Sequence, residues 1–359
     1  METFLYAPIF ANRYVLGIPA SASVPTHVDT RRVALASQFA LPYMTMASLI
    51  AWRATCRDTH LVATKELRHS LHTLLIRFVP DPVGFLRYLT RWGAIIVGEA
   101  ALSHVLHDPS VCNRTLELAI GNLVFHDFVH GLDHFLHSGP NAIGVNLVAK
   151  LAPPAWPSLR HITRITELEL ASGPVIHVYE SATPSACDVV CGAWTTLLMN
   201  YVSESSFGCA YPRLTLSYRG LLCDGRIGCL RALDQATHDR LRGRGAQFIF
   251  HSLAWPGPSY SISPYSSPTS PPSAAPCGKT IHMCPIQGRY FGDAGSLVVF
   301  YDGFCVDLSL LRYECAPSYG SMCAWRIPMK ATCPGRCEVD ESVVPAYVIS
   351  IIEIGRAHV

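Results

Sequence analysis

The stretch from residue 94 to residue 120 constrains the fold most, because its pattern changes from strand to turn to helix and back to strand. Residues 94–97 form a short apolar run typical of a buried strand, and Gly98 permits a tight turn. Residues 99–106 favour a helix, and residues 115–120 alternate with a period of two, as a half-buried strand does. A strand that leads through a glycine turn into a helix N-terminus is an arrangement that can hold an anion.

This arrangement resembles the nucleotidyltransferase fold, in which a hydrophobic strand, Gly-Ser, a helix and an Asp-x-Asp strand follow one another. In that family the Gly-Ser turn holds a triphosphate, and carboxylates on neighbouring strands hold a pair of divalent ions. The resemblance places Gly98-Glu99 at the Gly-Ser turn and Thr115-Leu116-Glu117 at the Asp-x-Asp step. It places the third carboxylate at His177, in the strand-like segment PVIHVYE.

The matched positions predict a site that has lost its chemistry. Only Glu117 remains of three acidic metal ligands, and Glu99 puts a negative charge where a phosphate would sit. The resemblance therefore implies a degenerate, pseudoenzyme-like module without a cofactor, in which Gly98 and Glu99 are the remnant of the nucleotide-binding turn. The alternative is an active enzyme that uses Mg with a nucleoside triphosphate and transfers a nucleotide to RNA, protein or a small molecule. Further carboxylates for such an enzyme are Asp108, Glu169 and Glu180.

The wider chain resembles a family of fungal proteins in which an F-box-like helical start precedes a divergent nucleotidyltransferase-like domain. The segments that carry this resemblance are LPYMTMASLIAWRATCRDTHLV, FVPDPVGFLRYLTRWGAIIVGEAAL, ACDVVCGAWTTLLMNYV, CAYPRLTLSYRGLL and CPIQGRYFGDAGSLVVF. An F-box docks on an adaptor of cullin ubiquitin ligases, so the resemblance implies a protein partner of this kind. The implied fold class is α/β (α+β), with a mixed-sheet domain behind an F-box-like helical segment.

The F-box-like segment covers residues 30–78. Its apolar residues recur at three- and four-residue steps and are predicted to line one helix face. They are Leu61, Val62, Leu67, Leu71, Leu74 and Leu75. The alternative is a helical cap that packs onto the domain behind it.

Composition excludes several classes of function. The chain has 28 basic and 26 acidic residues and a formal net charge of +2, so no global field attracts nucleic acid or anionic membrane. The local cluster of Arg240, Arg242 and Arg244 is predicted to be a solvated loop. Residues 33–52 are uncharged and as long as a membrane span, but Pro42 divides them into two short helices.

Fourteen cysteines are too few for a disulfide scaffold in a chain of 359 residues, and the N-terminus has no basic n-region of a signal peptide. We therefore expect a protein of the cytoplasm or nucleus, whose thiols are mostly small buried hydrophobes. The pairs Cys187/Cys191 and Cys333/Cys337 lack the C-x-x-C spacing of a zinc ribbon.

The segment FHDFVHGLDHFLH places His126, His130 and His134 on one helical face. Three ligands along a straight helix rise about 6 Å at each step, so at most two of them, such as His126 and His130, could bind one metal ion. The alternative is a polar, solvent-facing helix side.

The remaining chain divides by composition. Residues 1–29 are predicted to be weakly ordered, 79–255 form the nucleotidyltransferase-like core, and 277–352 continue it. Strands are expected near 94–97, 115–120, 162–170 and 174–180, with helices near 99–107, 122–137 and 186–203. Residues 256–276 hold seven prolines and seven serines and are predicted to be a disordered Ser/Pro-rich insert. The tail 353–359, EIGRAHV, resembles the translation of a DNA-sequencing adapter and is expected to be an artefact.

Overall fold

The computed structural model describes residues 40–138, 145–148, 161–222, 232–249, 289–291, 295–301, 324–326 and 351–353. It has a mixed α/β architecture in which helices precede and flank an eight-stranded sheet, so the predicted fold class is confirmed. The predicted weakly ordered N-terminus and the Ser/Pro-rich insert lie outside the described residues, as does the tail beyond Glu353.

Three helices form the N-terminal part. After a 3-10 turn at Leu41–Tyr43 come α1 (Met46–Arg53), α2 (Arg57–Leu75) and α3 (Pro82–Trp92). Side chains cap two of them: the Thr45 hydroxyl accepts the Ser48 N–H at the start of α1, and Asp81 accepts the Gly84 N–H at the start of α3. Each cap supplies a partner to a backbone N–H that the helix itself leaves unbonded.

The remaining elements alternate between strand and helix. The strands are β1 (Ile95–Val97), β2 (Thr115–Ile120), β3 (Val145–Val148), β4 (Ile162–Leu170), β5 (Val175–Ser181), β6 (Asn200–Val202), β7 (Ser206–Cys209), β8 (Arg219–Leu221), β9 (Gln247–Ile249), β10 (Arg289–Tyr290), β11 (Leu297–Phe300), β12 (Ala324–Arg326) and β13 (Ile351–Glu353). The helices are α4 (Gly98–Leu106), α5 (Phe125–Ser138), α6 (Cys187–Cys191), α7 (Pro212–Thr215) and α8 (Ala232–Gly243), with 3-10 turns at Asn122–Val124 and Thr196–Leu198.

The main sheet has the order β11-β7-β6-β1-β2-β5-β4-β3. Only β2 and β5 run parallel, and every other neighbouring pair is antiparallel. The predicted antiparallel hairpin of β4 and β5 is confirmed, and Gly173 in its turn has φ +95°, which favours glycine. Two smaller sheets have the orders β10-β12-β13 and β8-β9.

Each face of the main sheet belongs to a different cluster of buried side chains. Ile96, Leu118 and Val178 pack in one cluster with residues of α1, α2, α3, α4 and α5. Ile95 and Val97, which alternate with Ile96 in β1, pack in a second cluster that includes Tyr179 and residues of α6. Side chains alternate between the faces along every strand, so neighbouring residues of β1 serve different cores.

The N-terminal helices contact β11, the strand of the main sheet that comes last in the sequence. Arg53 of α1 donates a hydrogen bond of 2.5 Å to the carbonyl of Phe300, the last residue of β11. The hydroxyl of Tyr301 lies 2.8 Å from Nε2 of His104 in α4. Strand β11 itself pairs with β7 along four residues, so the N-terminal helices and the late strand are parts of one packed body.

Two sequence predictions are wrong in the helices. Leu61 was expected on the buried face of α2 but is 58 % exposed, because it lies two residues, or about 200° of helix rotation, before the buried Ala63. The helix expected over residues 186–203 is instead the short α6, a 3-10 turn and β6. This segment is buried almost all round, so its apolar run has no period that separates helix from strand.

Other predicted elements correspond closely to the structure. Residues 115–120 form a strand, and the predicted helices at 99–107 and 122–137 appear as α4 and, after a 3-10 turn, α5. The second half of the uncharged run 33–52 is divided into a 3-10 turn and α1. Among the helices that the structure describes, none has both the length and the apolar character needed to cross a bilayer.

Candidate functional site

The turn between β1 and α4 is formed as the sequence predicts. Gly98 has φ +64°, in the left-handed region that residues with a side chain avoid. A Cβ atom at this position would also collide with the carboxylate of Glu117. Gly98 is therefore needed both for its backbone conformation and for the space that it leaves to Glu117.

The Glu117 carboxylate covers the N-terminus of α4. Glu117 pairs with Val97 across the antiparallel β1/β2 ladder, which brings its side chain beside the turn. One carboxylate oxygen accepts the backbone N–H of Glu99 at 3.2 Å, and the other accepts the Tyr179 hydroxyl at 2.6 Å. An external anion would bind the Glu99 N–H at the start of α4, but this N–H is already bonded to the carboxylate of Glu117.

Glu99 is almost fully buried and is held by Arg240. Its Oε1 accepts hydrogen bonds from Nε of Arg240 at 3.0 Å and from Nη2 at 2.6 Å. The Glu99 side chain is 4 % exposed, and that of Arg240 is 28 % exposed. Burial raises the pKa of the Glu99 carboxyl, and the nearby charge of Glu117 raises it further, while Arg240 lowers it. Arg240 is thus the group that favours ionised Glu99 in this buried place.

A row of three polar side chains crosses the sheet beside the turn. Glu117 of β2, His177 of β5 and Glu167 of β4 are direct neighbours in the register of the three strands. Nε2 of His177 lies 3.3 Å from Oε2 of Glu167, and His177 is 7 % exposed. Nδ1 of His177 is buried and has no hydrogen-bond partner among the described residues. The row gives His177 a carboxylate-bearing neighbour on each side.

The structure therefore brings together most of the predicted site residues. Gly98, Glu99, Glu117 and His177 lie around the start of α4 and the adjacent row. Thr115 lies two residues earlier on the same face of β2 and pairs with Val175. Within the described part of the chain, no group of three or more His, Cys, Asp or Glu side chains is positioned to hold a metal ion.

The carboxylates considered for an active enzyme lie apart from one another. Glu180 pairs with Arg164 at 3.5 Å, and its place in β5 alternates with that of His177, so it faces the other side of the sheet. Glu169 is exposed on β4, and Asp108 follows α4, where its Oδ1 accepts the Ser110 N–H. None of the three shares the row that contains Glu117.

The histidines of α5 occupy one side of that helix, as predicted. His126, His130 and His134 are all exposed. Nε2 of His126 lies 2.8 Å from Nη1 of Arg164, whose guanidinium also lies over the Phe125 ring. The metal role of His126 and His130 stays a prediction, and Arg164 beside His126 is a cation that a second cation would have to displace.

Sequence reasoning missed three members of the site: Arg240, Tyr179 and Glu167. The arginine cluster at 240–244 was expected to be a solvated loop, but Arg240 and Arg242 lie in the last turn of α8. Asp234 in the first turn and arginines in the last are a helix signature that could have predicted α8. The partner of Arg240 lies 141 residues earlier and has no local signal.

Comparison with known proteins adds little to this geometry. No family model and no curated protein sequence matches the chain. A solved structure that it resembles is the CCA-adding enzyme of Thermotoga maritima in complex with tRNA, at 18 % identity and a TM-score of 0.25. The match covers 37 % of this chain and 28 % of that one, so the chain spans less than a third of the enzyme's length. This score is too low to carry an argument about the site.

Proposed function

We propose that the protein is a catalytically degenerate, nucleotidyltransferase-like module that binds a protein partner and transfers no nucleotide. The observation that carries the proposal is the Glu117 carboxylate, which accepts the Glu99 N–H and fills the space over Gly98. A triphosphate held in the manner of the nucleotidyltransferase family would need both that space and that donor. The order of strand, glycine turn, helix and antiparallel strand supports the likeness of the module to that family.

The charges around the turn oppose a phosphate as well. Glu99 and Glu117 carry two formal negative charges, and Arg240 offsets one of them. At about 4 Å and an effective dielectric constant near 20, one unit of like charge costs on the order of 4 kcal/mol. A cost of this size lowers the affinity for a nucleotide by about three orders of magnitude.

Titration calorimetry with Mg-ATP and Mg-GTP tests the proposal. We expect no heat of binding from the unmodified protein at millimolar nucleotide, because the turn is filled and negatively charged. The restored variant is Glu99→Ser, Thr115→Asp, Glu117→Asp and His177→Asp, in which the shorter aspartate withdraws from Gly98 and Arg240 is released. Magnesium-dependent binding by this variant alone would support the proposal, whereas micromolar binding by the unmodified protein would overturn it.

The control for folding is the same variant with Gly98→Ala added. A methyl group at residue 98, with its positive φ, should close the turn again whatever the charges around it. Loss of the restored binding, with an unchanged circular dichroism spectrum, would place the nucleotide at this turn. Binding that survives Gly98→Ala would show that the nucleotide binds elsewhere, and the proposed family likeness would fail.

The partner that we propose is an adaptor of a cullin ubiquitin ligase, bound in the cytoplasm or nucleus through the helical segment. Most leucines of α2 are buried in the core with the sheet, so they are not free to bind another protein. Tyr43 at 89 % exposure, Ile76 at 64 % and Leu61 at 58 % are the large apolar side chains that the described part of the segment presents to solvent. A partner that docks on this segment would therefore contact some of these three, and Leu61 is the one that lies within α2.

A pull-down with the full chain tests this role. Recovery of the adaptor should be lost in Leu61→Asp and kept in Leu123→Asp, which changes a leucine that is 78 % exposed outside the segment. No recovery by the unmodified chain, or equal recovery by both variants, would leave the segment as a helical cap of the domain. The nucleotide experiment is independent of this result.

A further inference from the structure

A second polar site lies at the other end of α4. A cleft of about 380 Å³ is lined by Leu106, Asp108, Val111, Tyr218 and Arg244. It is within the size range of small-molecule sites. Leu106 ends the nine-residue helix that Gly98 begins, so about 12 Å of helix separates the cleft from the filled turn. The cleft and the turn thus lie at opposite ends of α4, and the charge of Glu99 in the turn still acts on the Tyr218 phenol.

Tyr218 supplies a hydroxyl group without a partner. Its Oη is buried and forms no hydrogen bond with any described residue. Its φ of +56° lies in the left-handed region, which is unusual for a residue with a side chain. Burial raises the pKa of the Tyr218 phenol, so at neutral pH the hydroxyl keeps its proton and can donate it to a ligand.

Two opposite charges lie at the rim of the same cleft. Arg244 donates a hydrogen bond of 2.8 Å to the Ser110 hydroxyl, and Asp108 accepts the Ser110 N–H at 2.9 Å. Neither side chain forms an ion pair with the other or with another described residue within 4.0 Å. The charge of Arg244 lowers the pKa of Tyr218, and the charges of Asp108 and Glu99 raise it.

We propose that this cleft binds a small zwitterion with an apolar body, such as a free aliphatic α-amino acid. The carboxylate of the ligand pairs with Arg244 and accepts the Tyr218 hydroxyl, and its ammonium group pairs with Asp108. Its side chain lies against Leu106 and Val111. A ligand with one charge only would leave either Asp108 or Arg244 facing it without compensation, which selects the zwitterion over a simple anion or cation.

Three probes of similar size test the charge requirement. L-leucine has both charges, N-acetyl-L-leucine lacks the ammonium group, and L-leucinamide lacks the carboxylate. Protein-observed NMR titration should show L-leucine binding at least ten-fold tighter than either analogue, with shifts at the loop 107–111 and at Tyr218. Equal affinity for leucine and N-acetyl-leucine, or no binding of leucine at millimolar concentration, would overturn the proposal.

Point variants assign the contacts. Tyr218→Phe removes only the unpartnered hydroxyl, so its melting temperature should be unchanged or higher, while leucine binding weakens at least ten-fold. Arg244→Gln should lose binding, and Arg242→Gln, which changes an exposed arginine two residues away, should not. Asp108→Asn keeps an oxygen for the Ser110 N–H and should narrow the preference for leucine over N-acetyl-leucine. If both Tyr218→Phe and Arg244→Gln bind leucine as tightly as the unmodified protein does, the ligand lies outside this cleft.

Discussion

The two faces of the main sheet use the same strands for different purposes. On the face toward α1–α5, residues such as Leu118 and Val178 are fully buried among apolar side chains. One residue along, Glu117 and His177 occupy the opposite face in a row of paired polar groups. The backbone is shared, so the difference arises only from which residues alternate along β2 and β5. The first face contributes mainly to stability, and the second contributes the chemistry of the turn.

The largest effect should come from the apolar face. Phe128 in α5 is fully buried in its core, and Phe128→Ala should lower the free energy of unfolding by about 4 kcal/mol, because a cavity remains. Urea unfolding followed by circular dichroism measures this change. Leu123→Ala, at a leucine that is 78 % exposed, is the control and should change stability by less than about 0.5 kcal/mol. A similar loss in both variants would mean that α5 does not pack as described.

Arg240→Gln should have the next largest effect, at the polar turn where α4 begins. It leaves Glu99 buried without its guanidinium partner and should lower the free energy of unfolding by about 3 kcal/mol. The double variant Arg240→Gln, Glu99→Gln should recover most of this loss, because the unpaired charge is gone. If it recovers nothing, Arg240 stabilises the fold through packing and not through Glu99.

The pH dependence of stability in the Arg240→Gln variant tests whether Arg240 stabilises the ionised form of Glu99. The pKa of Glu99 is raised in the folded protein, so the folded state binds the proton more readily than the unfolded state. This contribution to stability is present at low pH and is lost as the pH rises through the folded pKa. Without Arg240 the pKa rises further, so the variant should lose stability over a wider pH range than the unmodified protein does.

On the apolar face, His104 should give stability a pH dependence of the opposite sign to that of Glu99, and a smaller one. It lies between the rings of Phe207 and Tyr301, and burial lowers its pKa to about 3. The unfolded state takes up a proton below about pH 6.5, so stability should fall with decreasing pH by about 1.4 kcal/mol per pH unit. Urea unfolding between pH 7 and pH 5 should show a slope that is smaller in His104→Phe than in the unmodified protein by this amount. His69→Phe, at an exposed histidine of α2, should leave the slope as it is.

Tyr179→Phe should have the smallest effect of the series. It removes one of two hydrogen bonds to the Glu117 carboxylate and should lower the free energy of unfolding by about 1 kcal/mol. Thermal unfolding measures the change, with Tyr43→Phe as the control at a tyrosine that is 89 % exposed. Equal melting temperatures for Tyr179→Phe and the unmodified protein would show that the Tyr179 hydroxyl does not stabilise the carboxylate over the turn.

Local features of the sequence predicted much of this arrangement. The turn at Gly98, the alternation of β2 and the hairpin of β4 and β5 each depend on residues close together in the chain, and all three are confirmed. The sequence did not predict that Glu117 fills the turn, because we interpreted Glu117 only as the remnant of a metal ligand. Its place over Gly98 depends on the register of β1 against β2, which the sequence does not reveal.

The neutralisation of Glu99 could not be predicted for a different reason. Sequence reasoning treated its charge as a repulsive group in an open turn, whereas Arg240 binds it from a helix 141 residues away. Contacts between distant segments leave no periodic pattern. For the same reason the arginines at 240, 242 and 244 were assigned to a solvated loop, although Arg240 of α8 supports the candidate site and Arg244, which follows α8, lines the cleft.

The hydrogen bond from Arg53 to the carbonyl of Phe300 has a consequence for the order in which the chain matures. A ribosome delivers the N-terminal helices first, and their contact with β11 spans 247 residues of sequence. Until β11 emerges, the edge of β7 is open to pairing with other chains, and the helices lack one of their partners. The nascent protein therefore has a long interval in which this edge can pair with other chains, and a chain that ends before β11 keeps the edge open.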